Sequence, residues 1–214
     1  MRDDPTLPPL NRPLFPATSI ATTMPLSPAA PRELIHTRSI ECRGYRRADG
    51  LWDIDAHLTD TKTYAFDNHF RGELPAGAPV HDMWLRLTVD DRLVIHAVEA
   101  VTEAGPYSAC PTVAPNFQRL VGLRIYPGFH KQVRDRLGGV EGCTHLVDLL
   151  GPLATTAYQT VFPWRAREHE ARLERDGKPP ERPTRRPKLV DSCRAFASDG
   201  DVVKRYWPDF YTGS

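Results

Sequence analysis

Residues 138–150, with the sequence GGVEGCTHLVDLL, contain a cysteine, Cys143, followed two places later by a histidine, His145. Apolar residues recur at helical spacing after this pair, so the pattern predicts that Cys143 lies at the N-terminus of an amphipathic helix. The positive end of a helix dipole favours the thiolate, the form of cysteine that binds metals or attacks electrophiles. His145 is a candidate general base or a partner of a metal ligand. The competing interpretation is a buried thiol beside a capping or solvent-facing histidine.

Two further points combine side chains that bind metals, and each lies at the end of a predicted element. His81 and Asp82 stand in APVHDMWLRL at the start of a strand, and Cys110 stands in the loop sequence GPYSACPTVAP. One imidazole, one carboxylate and two thiolates suffice for a tetrahedral Zn²⁺ or Fe²⁺ site. We therefore predict such a site, provided that these distant residues meet in space; the alternative is that the cysteines are simply buried. The predicted ligands are His81, Asp82, Cys110 and Cys143.

The alternating segment DIDAHLTDTK, residues 53–62, carries the remaining candidates for acid–base chemistry. Asp55 and His57 project from one face of a predicted strand, and we expect Asp60 to continue this polar row. Such a row usually forms the solvated side of a half-buried sheet. If helices cover that face instead, His57 and Asp60 join His145 as the catalytic candidates of the chain.

The elements that would position these residues are four strand-like runs followed by helices. Short connections containing ADG and DDR join neighbouring runs, and connections of that length permit only antiparallel pairing. The chain then changes to helical spacing, which is longest in CTHLVDLLGPLATTAYQTVF. This order indicates an α+β fold, with an antiparallel meander sheet of about four strands and two to three helices packed on one face. The four runs cover residues 39–47, 51–66, 83–90 and 93–104.

Composition divides the chain into four predicted segments. Residues 1–35 are rich in proline and poor in aromatic side chains, which predicts disorder. Residues 36–165 hold the α+β domain, and residues 166–187 form a linker in which charged side chains and prolines predominate. Residues 188–214 regain apolar and aromatic side chains, so we expect this tail to dock back on the domain.

The balance of charges argues against a polyanionic partner. The 214 residues include 28 Lys and Arg and 27 Asp and Glu, a formal net charge of +1. That value gives no electrostatic reason to expect binding to nucleic acid or to a membrane. No apolar run approaches the roughly 20 residues that a membrane-spanning helix needs, and the N-terminus does not resemble a secretory signal. We therefore expect a reducing cytoplasmic location, in which the four cysteines form no disulfide framework.

The strings DGLWDIDAHLTDTK, VHDMWLRLTVD and GCTHLVDLL resemble those of a bacterial family that is catalogued as a domain of unknown function. The resemblance covers nearly everything after residue 38. It implies no activity, because none is established for that family.

Residues 78–162 also resemble the U-type iron–sulfur cluster scaffolds and the related sulfur-acceptor fold. The stretches APVHDMWLRLTVDD, LVIHAVEAVTEAGPYSAC and GCTHLVDLLGPLATTAYQ follow the order of the scaffold motifs. By this resemblance, the three cysteine positions of a scaffold fall on His81, Cys110 and Cys143. The scaffold aspartate falls on Asp82. Two departures stand out: a histidine replaces the first cysteine, and RLGGVEG replaces the segment that scaffolds present to their chaperone.

Three functional hypotheses follow from these residues. The first is a small cytoplasmic enzyme, metal-dependent or thiol-dependent, that acts on a small molecule by lyase, hydrolase or isomerase chemistry. The second is a scaffold that carries an iron–sulfur cluster, a metal or sulfur to a partner protein. The third is a non-catalytic interaction module in which the same residues are merely packed.

Overall fold

In the computed structural model of the protein, residues 26–179 and 183–213 are described. Residues 35–214 form one compact unit, and the fold given below is that of this unit. Of the segment 1–35, for which the sequence predicts disorder, residues 1–25 lie outside the described residues.

In the described part of the chain, six β-strands precede the helices: β1 His36–Arg46, β2 Trp52–Lys62, β3 Phe66–Asn68, β4 Gly72–Leu74, β5 Pro79–Val89 and β6 Ile95–Ala104. Four of them form an antiparallel sheet in the order β1–β2–β5–β6, which confirms the predicted meander. The other two form a separate hairpin, β3–β4, inserted between β2 and β5. The second strand is therefore shorter than predicted, because the chain leaves the sheet after Lys62 to make this hairpin.

Three α-helices follow the sheet within residues 105–179 and 183–213: α1 Phe129–Leu137, α2 Thr144–Arg175 and α3 Asp201–Tyr206. A 3₁₀ helix, Cys110–Leu120, follows β6, in a region where the sequence predicts a loop around Cys110. The longest helix, α2, packs against β1, β2 and β5. Strands followed by helices confirm the α+β fold class. Within the described ranges, no helix has both the length and the apolar composition that crossing a bilayer demands.

Alternation within the strands decides which side chains face the helices. In β2 the even-numbered side chains from Trp52 to Asp60 are buried, and in β5 the odd-numbered ones from Met83 to Val89 are, so one face of the sheet forms the core. Each of these side chains contributes on the order of 2 kcal/mol when it leaves water. The cluster includes Trp52, Ile54, Ala56, Leu58, Met83, Leu85, Leu87 and Val89 from the sheet, and Leu146, Leu149, Leu150, Leu153, Ala157 and Val161 from α2.

The edge strand β1 approaches α2 closely at Gly44. A Cβ atom at this position would lie within 2.8 Å of Thr160 Cβ, and it would overlap the rest of that side chain. Two residues away, the thiol of Cys42 faces Thr156 of the same helix. Glycine is therefore required where the strand and the helix touch, and this contact fixes the height of α2 above the sheet.

The region after the domain is partly helical. Helix α2 continues to Arg175, so the first ten residues of the segment predicted as a linker belong to the helix. The C-terminal tail contacts the unit through Lys188, whose Nζ donates a hydrogen bond to the Tyr126 hydroxyl at 2.8 Å. Val190 and Val203 of the tail are buried.

Candidate metal centre

Three neighbouring strands bring a charged row to the helix-facing side of the sheet. The register pairs Arg38 of β1 with Asp60 of β2, and Asp60 with His81 of β5. Asp60 has the same parity as the buried Leu58, and this parity turns its carboxylate toward α2. Helix α2 begins at Thr144, directly above this row, and contributes His145.

The side chains of Asp60, His81 and His145 converge. Their ligand atoms all lie within 4.8 Å of one another. His81 Nδ1 lies 3.0 Å from Asp60 Oδ2, and the two imidazole rings face each other at a tilt of 31°, with centroids 3.7 Å apart. Atoms that share a metal at about 2.1 Å lie roughly 3–4 Å apart, so small side-chain movements would complete the coordination. Two histidines and one carboxylate are a ligand set that binds Fe²⁺ or Zn²⁺.

Asp60 is buried, with 1% of its side chain exposed, and its charge is compensated by neighbours. Arg38 donates from Nε to Oδ1 at 2.9 Å and from Nη2 to Oδ2 at 2.8 Å, and His36 Nε2 lies 3.0 Å from Oδ1. Burial alone would raise the pKa of Asp60. The hydrogen bonds and charge of Arg38, with smaller effects of His36 and His81, outweigh burial and lower that pKa to about 2. Asp60 is therefore an acceptor-only carboxylate at neutral pH.

The two histidines of the group are held in their neutral form. Burial lowers the pKa of His81, and the charge of His145 acts in the same direction, while Asp60 opposes both. Burial also lowers the pKa of His145, and the charge of Arg38 adds to this effect. Because ionised Asp60 can only accept, His81 donates from Nδ1, which leaves a lone pair on its Nε2. Neutral imidazoles with a fixed tautomer are the form that binds a metal or accepts a proton.

The cysteine at the helix start borders this centre. Cys143 is the N-cap residue of α2, and its Sγ lies 3.9 Å from His145 Nδ1. It is half-buried, and its side chain makes no capping hydrogen bond to a backbone N–H of the helix. The thiol is therefore a neighbour of the His145 imidazole, although it is not one of the three converging ligand atoms.

Two predicted site residues lie on the opposite face of the sheet. His57 Nε2 lies 2.8 Å from Asp82 Oδ1, and the His57 ring stacks on Trp84 with centroids 3.7 Å apart. The prediction of one ligand pair from His81 and Asp82 is corrected by strand geometry, because adjacent residues of a strand point to opposite faces. For the same reason, the expectation that Asp60 continues the polar row of His57 is wrong.

Cys110 is also separate from the centre. It lies at the start of the 3₁₀ helix after β6, where its Cβ and Sγ pack against Gly105. Within the ranges that the structure describes, it belongs to no group of three ligands. The structure thus does not assemble the predicted four-ligand site: of its members, His81 lies in the centre and Cys143 lies beside it.

Sequence reasoning missed two members of the surroundings, His36 and Arg38. Both stand in β1, and neither belongs to a motif. The signal that identifies them is the register of β1 on β2, which sets His36 and Arg38 opposite the far end of the β2 strand. Counting back from the ADG turn gives that register, since each step along one strand matches one step along its antiparallel partner.

Comparisons with known proteins give one result. No curated protein matches the chain, and no solved structure matches it either. The resemblance to U-type iron–sulfur scaffolds therefore receives no support. A family model described as "Protein of unknown function (DUF2889)" matches residues 36–159, which is more than half of the 214 residues and includes Arg38, Asp60, His81 and His145. The chain belongs to this family, which the sequence resemblance to a domain of unknown function also indicates.

Proposed function

We propose that the chain is a small metal-dependent enzyme, in which His81, His145 and Asp60 bind Zn²⁺ or Fe²⁺ and act on a small molecule. The observation that carries the proposal is the convergence of three ligand atoms within 4.8 Å around two neutral imidazoles. A bound divalent metal would polarise a substrate oxygen or activate a water for hydrolase, lyase or isomerase chemistry.

The position of the centre supports access by a small molecule. It lies at the end of the sheet, where His36 and Arg38 are 43% and 36% exposed, while His81 is only 12% exposed. A substrate can thus approach from the side of β1 and contact the histidines where the centre is largely shielded from solvent. Arg38 would attract a carboxylate or phosphate group of such a substrate.

The proposal includes a cytoplasmic location. The four cysteines are free, and Cys143 stands next to a proposed ligand, where a reducing environment keeps it as a thiol. Small-molecule chemistry also suits a chain with a net charge of only +1.

Metal analysis of protein purified without an affinity tag tests the proposal. We expect about one equivalent of zinc or iron per chain, and a loss of that metal in the His145→Ala variant. His96→Ala is the matched control, because His96 is an exposed histidine paired with Asp90 outside the centre. Protein without metal, or metal retained in His145→Ala, would contradict the proposal.

A second candidate is favoured by the contacts of Asp60. A carboxylate offers about four lone-pair positions, and Arg38, His36 and His81 already occupy them. Asp60 would then orient His81 as a general base, with no metal present, and His145 would activate the thiol of Cys143. In this thiol-dependent alternative, metal-free protein reacts with iodoacetamide at Cys143, and His145→Ala slows that reaction at least tenfold while His96→Ala does not. An equal rate in both variants would contradict it.

A further inference from the structure

We propose that a second site, a cavity between α1, α2 and the C-terminal tail, binds a small amphipathic organic anion. By this we mean an aromatic or acyl body that carries a carboxylate or phosphate group. The cavity has a volume of about 1040 Å³, close to the upper size of pockets that hold drug-sized ligands. The described residues that line it include cations and aromatic rings and no carboxylate.

The cavity has an unbalanced positive charge. Among the described residues, Lys131 is the one lining cation that has a carboxylate partner, Asp135 at 2.8 Å. The other four have no carboxylate within ion-pair distance in the part of the chain that the structure describes. Four uncompensated cations around one concave surface attract anions, although the whole chain carries a net charge of only +1. These four are Arg92, Arg124, Arg134 and Lys188.

The inner part of the cavity is apolar and aromatic. Leu93 and Phe129 form a buried floor, with 2% and 3% of their surfaces exposed. The rings of Tyr158 and Phe162 stand together on α2, with centroids 4.5 Å apart. An apolar body of the ligand would lie against these side chains, because its transfer from water is favourable there.

The cations stand at the edge of this apolar surface rather than within it. Arg124 and Lys188 both lie over the ring of Tyr126, at 5.1 Å and 4.5 Å from its centroid. A ligand whose body contacts the floor would therefore place its anionic group among guanidinium and ammonium groups. The arrangement fits a molecule with both parts and fits neither part alone.

The tail supplies one wall of the cavity. Lys188, Leu189 and Ser192 line it, and Lys188 also donates its hydrogen bond to Tyr126. Ligand binding should thus hold the tail against the domain. Because Lys188 is positively charged, an anionic ligand should hold the tail in this way, whereas a neutral ligand should not.

This site is distinct from the candidate metal centre. Gly151, the lining residue of α2 that is nearest to His145 in sequence, stands six residues after it. A helical rise of 1.5 Å per residue separates them by about 9 Å along the axis. The proposal does not depend on metal binding, and its test uses protein treated with EDTA so that the two proposals succeed or fail separately.

Calorimetric titration of the full chain with four probes tests the site. The probes 1-naphthyl phosphate and 2-naphthoate combine a ring with an anion, whereas inorganic phosphate and 1-naphthol each carry one of the two parts. We expect one of the two naphthyl anions to bind one to one, at least tenfold more tightly than inorganic phosphate and than 1-naphthol. The preferred anion identifies the ligand class as a phosphate or a carboxylate. Absence of binding by both anions, or equal binding of 1-naphthol, would overturn the proposal.

Charge variants locate the binding. Replacing Arg124 and Arg134 together by Gln should weaken binding of the preferred anion at least tenfold. The control replaces Arg43 and Arg205 by Gln, which removes the same charge outside the cavity. Lys188→Gln, an exposed change in the tail, provides a second test if the double variant does not fold. Equal effects of cavity and control variants would show a bulk charge effect and overturn the proposal.

Discussion

Asp60 lies where β1, β2, β5 and α2 meet, and it is a carboxylate with almost no contact with solvent. A buried charge is tolerated only when its neighbours compensate for lost hydration. Arg38 does so through two hydrogen bonds, and His36 and His81 supply further ones. In exchange, Asp60 fixes the tautomer of His81. This one side chain thus connects the stability of the fold with the chemistry of the centre.

Asp60→Asn should destabilise the protein by about 2 kcal/mol, because a pKa lowered from 3.8 to about 2 corresponds to that much interaction with the charged form. Urea unfolding at pH 7 measures the change. The control is Asp55→Asn, on the opposite face of the same strand. Asp55 pairs with Arg86, which is 47% exposed, and the control should lose less than about 1 kcal/mol. Similar losses in the two variants would show that the buried ion pairs of Asp60 stabilise the fold no more than the exposed pair of Asp55 does.

Acid should destabilise the metal-free protein in two stages. In the folded state, the pKa values of His81 and His145 are lowered from 6.5. Below pH 6.5, these histidines therefore bind protons more readily in the unfolded chain than in the folded one, which favours unfolding. Their contribution is complete above pH 6.5 and is lost as the pH falls toward their folded values. Asp60 acts later: its contribution is complete above pH 3.8 and is lost as the pH falls through 2.

The urea midpoint, measured between pH 8 and pH 2, checks this order. We expect the first decline, below pH 6.5, to be smaller when His81 and His145 are both replaced by Gln, since those variants no longer take up the protons. If the first decline is as large in this double variant as in the unchanged protein, it arises from groups other than His81 and His145.

At the scale of elements, the packing of β1 on α2 depends on Gly44. Gly44→Val should cost roughly 1–3 kcal/mol, because the added atoms overlap Thr160 and force the strand and helix apart. Thermal or urea unfolding measures the loss. The double variant with Thr160→Gly should recover much of it, which a backbone effect of valine alone would not allow. If the losses of stability in the two single variants simply add in the double variant, the loss caused by Gly44→Val does not come from the overlap with Thr160.

The same scale shows what the sequence could predict. Strict alternation in β2 and β5 and the apolar stripe of α2 were sufficient for the sheet, its core face and the helix above it. The sequence also contains the information that Asp60 faces the core, because it follows the apolar Leu58 by two residues. Its polar side chain nevertheless led to its assignment to the polar row of the strand. The hairpin β3–β4 was missed because strands of three residues carry almost no periodic signal.

The centre itself could be predicted only in part. His81 and His145 stood out by type and by their places at element ends. Their proximity to Asp60 depends on the register between β2 and β5 and on the distance of α2 from the sheet. Both are tertiary properties that the local sequence does not determine. Cys110 and Asp82 were attractive by type alone, and the structure places them against Gly105 and beside His57. Residue type predicted candidates, whereas geometry decided which of them share a site.

At the scale of the whole molecule, the structure gives residues 35–214 as one unit, and the division into a domain, a linker and a docked tail stays a prediction from the sequence. Trypsin should cut first after Arg185, which is exposed, lies beyond the end of α2 at Arg175 and, unlike Lys178 and Arg186, is not followed by proline. Mass spectrometry of the early fragments measures this. The ligand that fits the cavity should slow release of the tail. First cuts within 36–165 would contradict the predicted division of the chain.

The position of a bound metal tests the central claim most directly. Anomalous diffraction at the zinc and iron absorption edges, from crystals of protein purified without a tag, locates such an ion without assumptions about its ligands. We predict one peak within bonding distance of His81 and His145, with Asp60 as the third ligand. A peak at the His57–Asp82 pair or at Cys110, or no peak at either edge, would contradict the assignment.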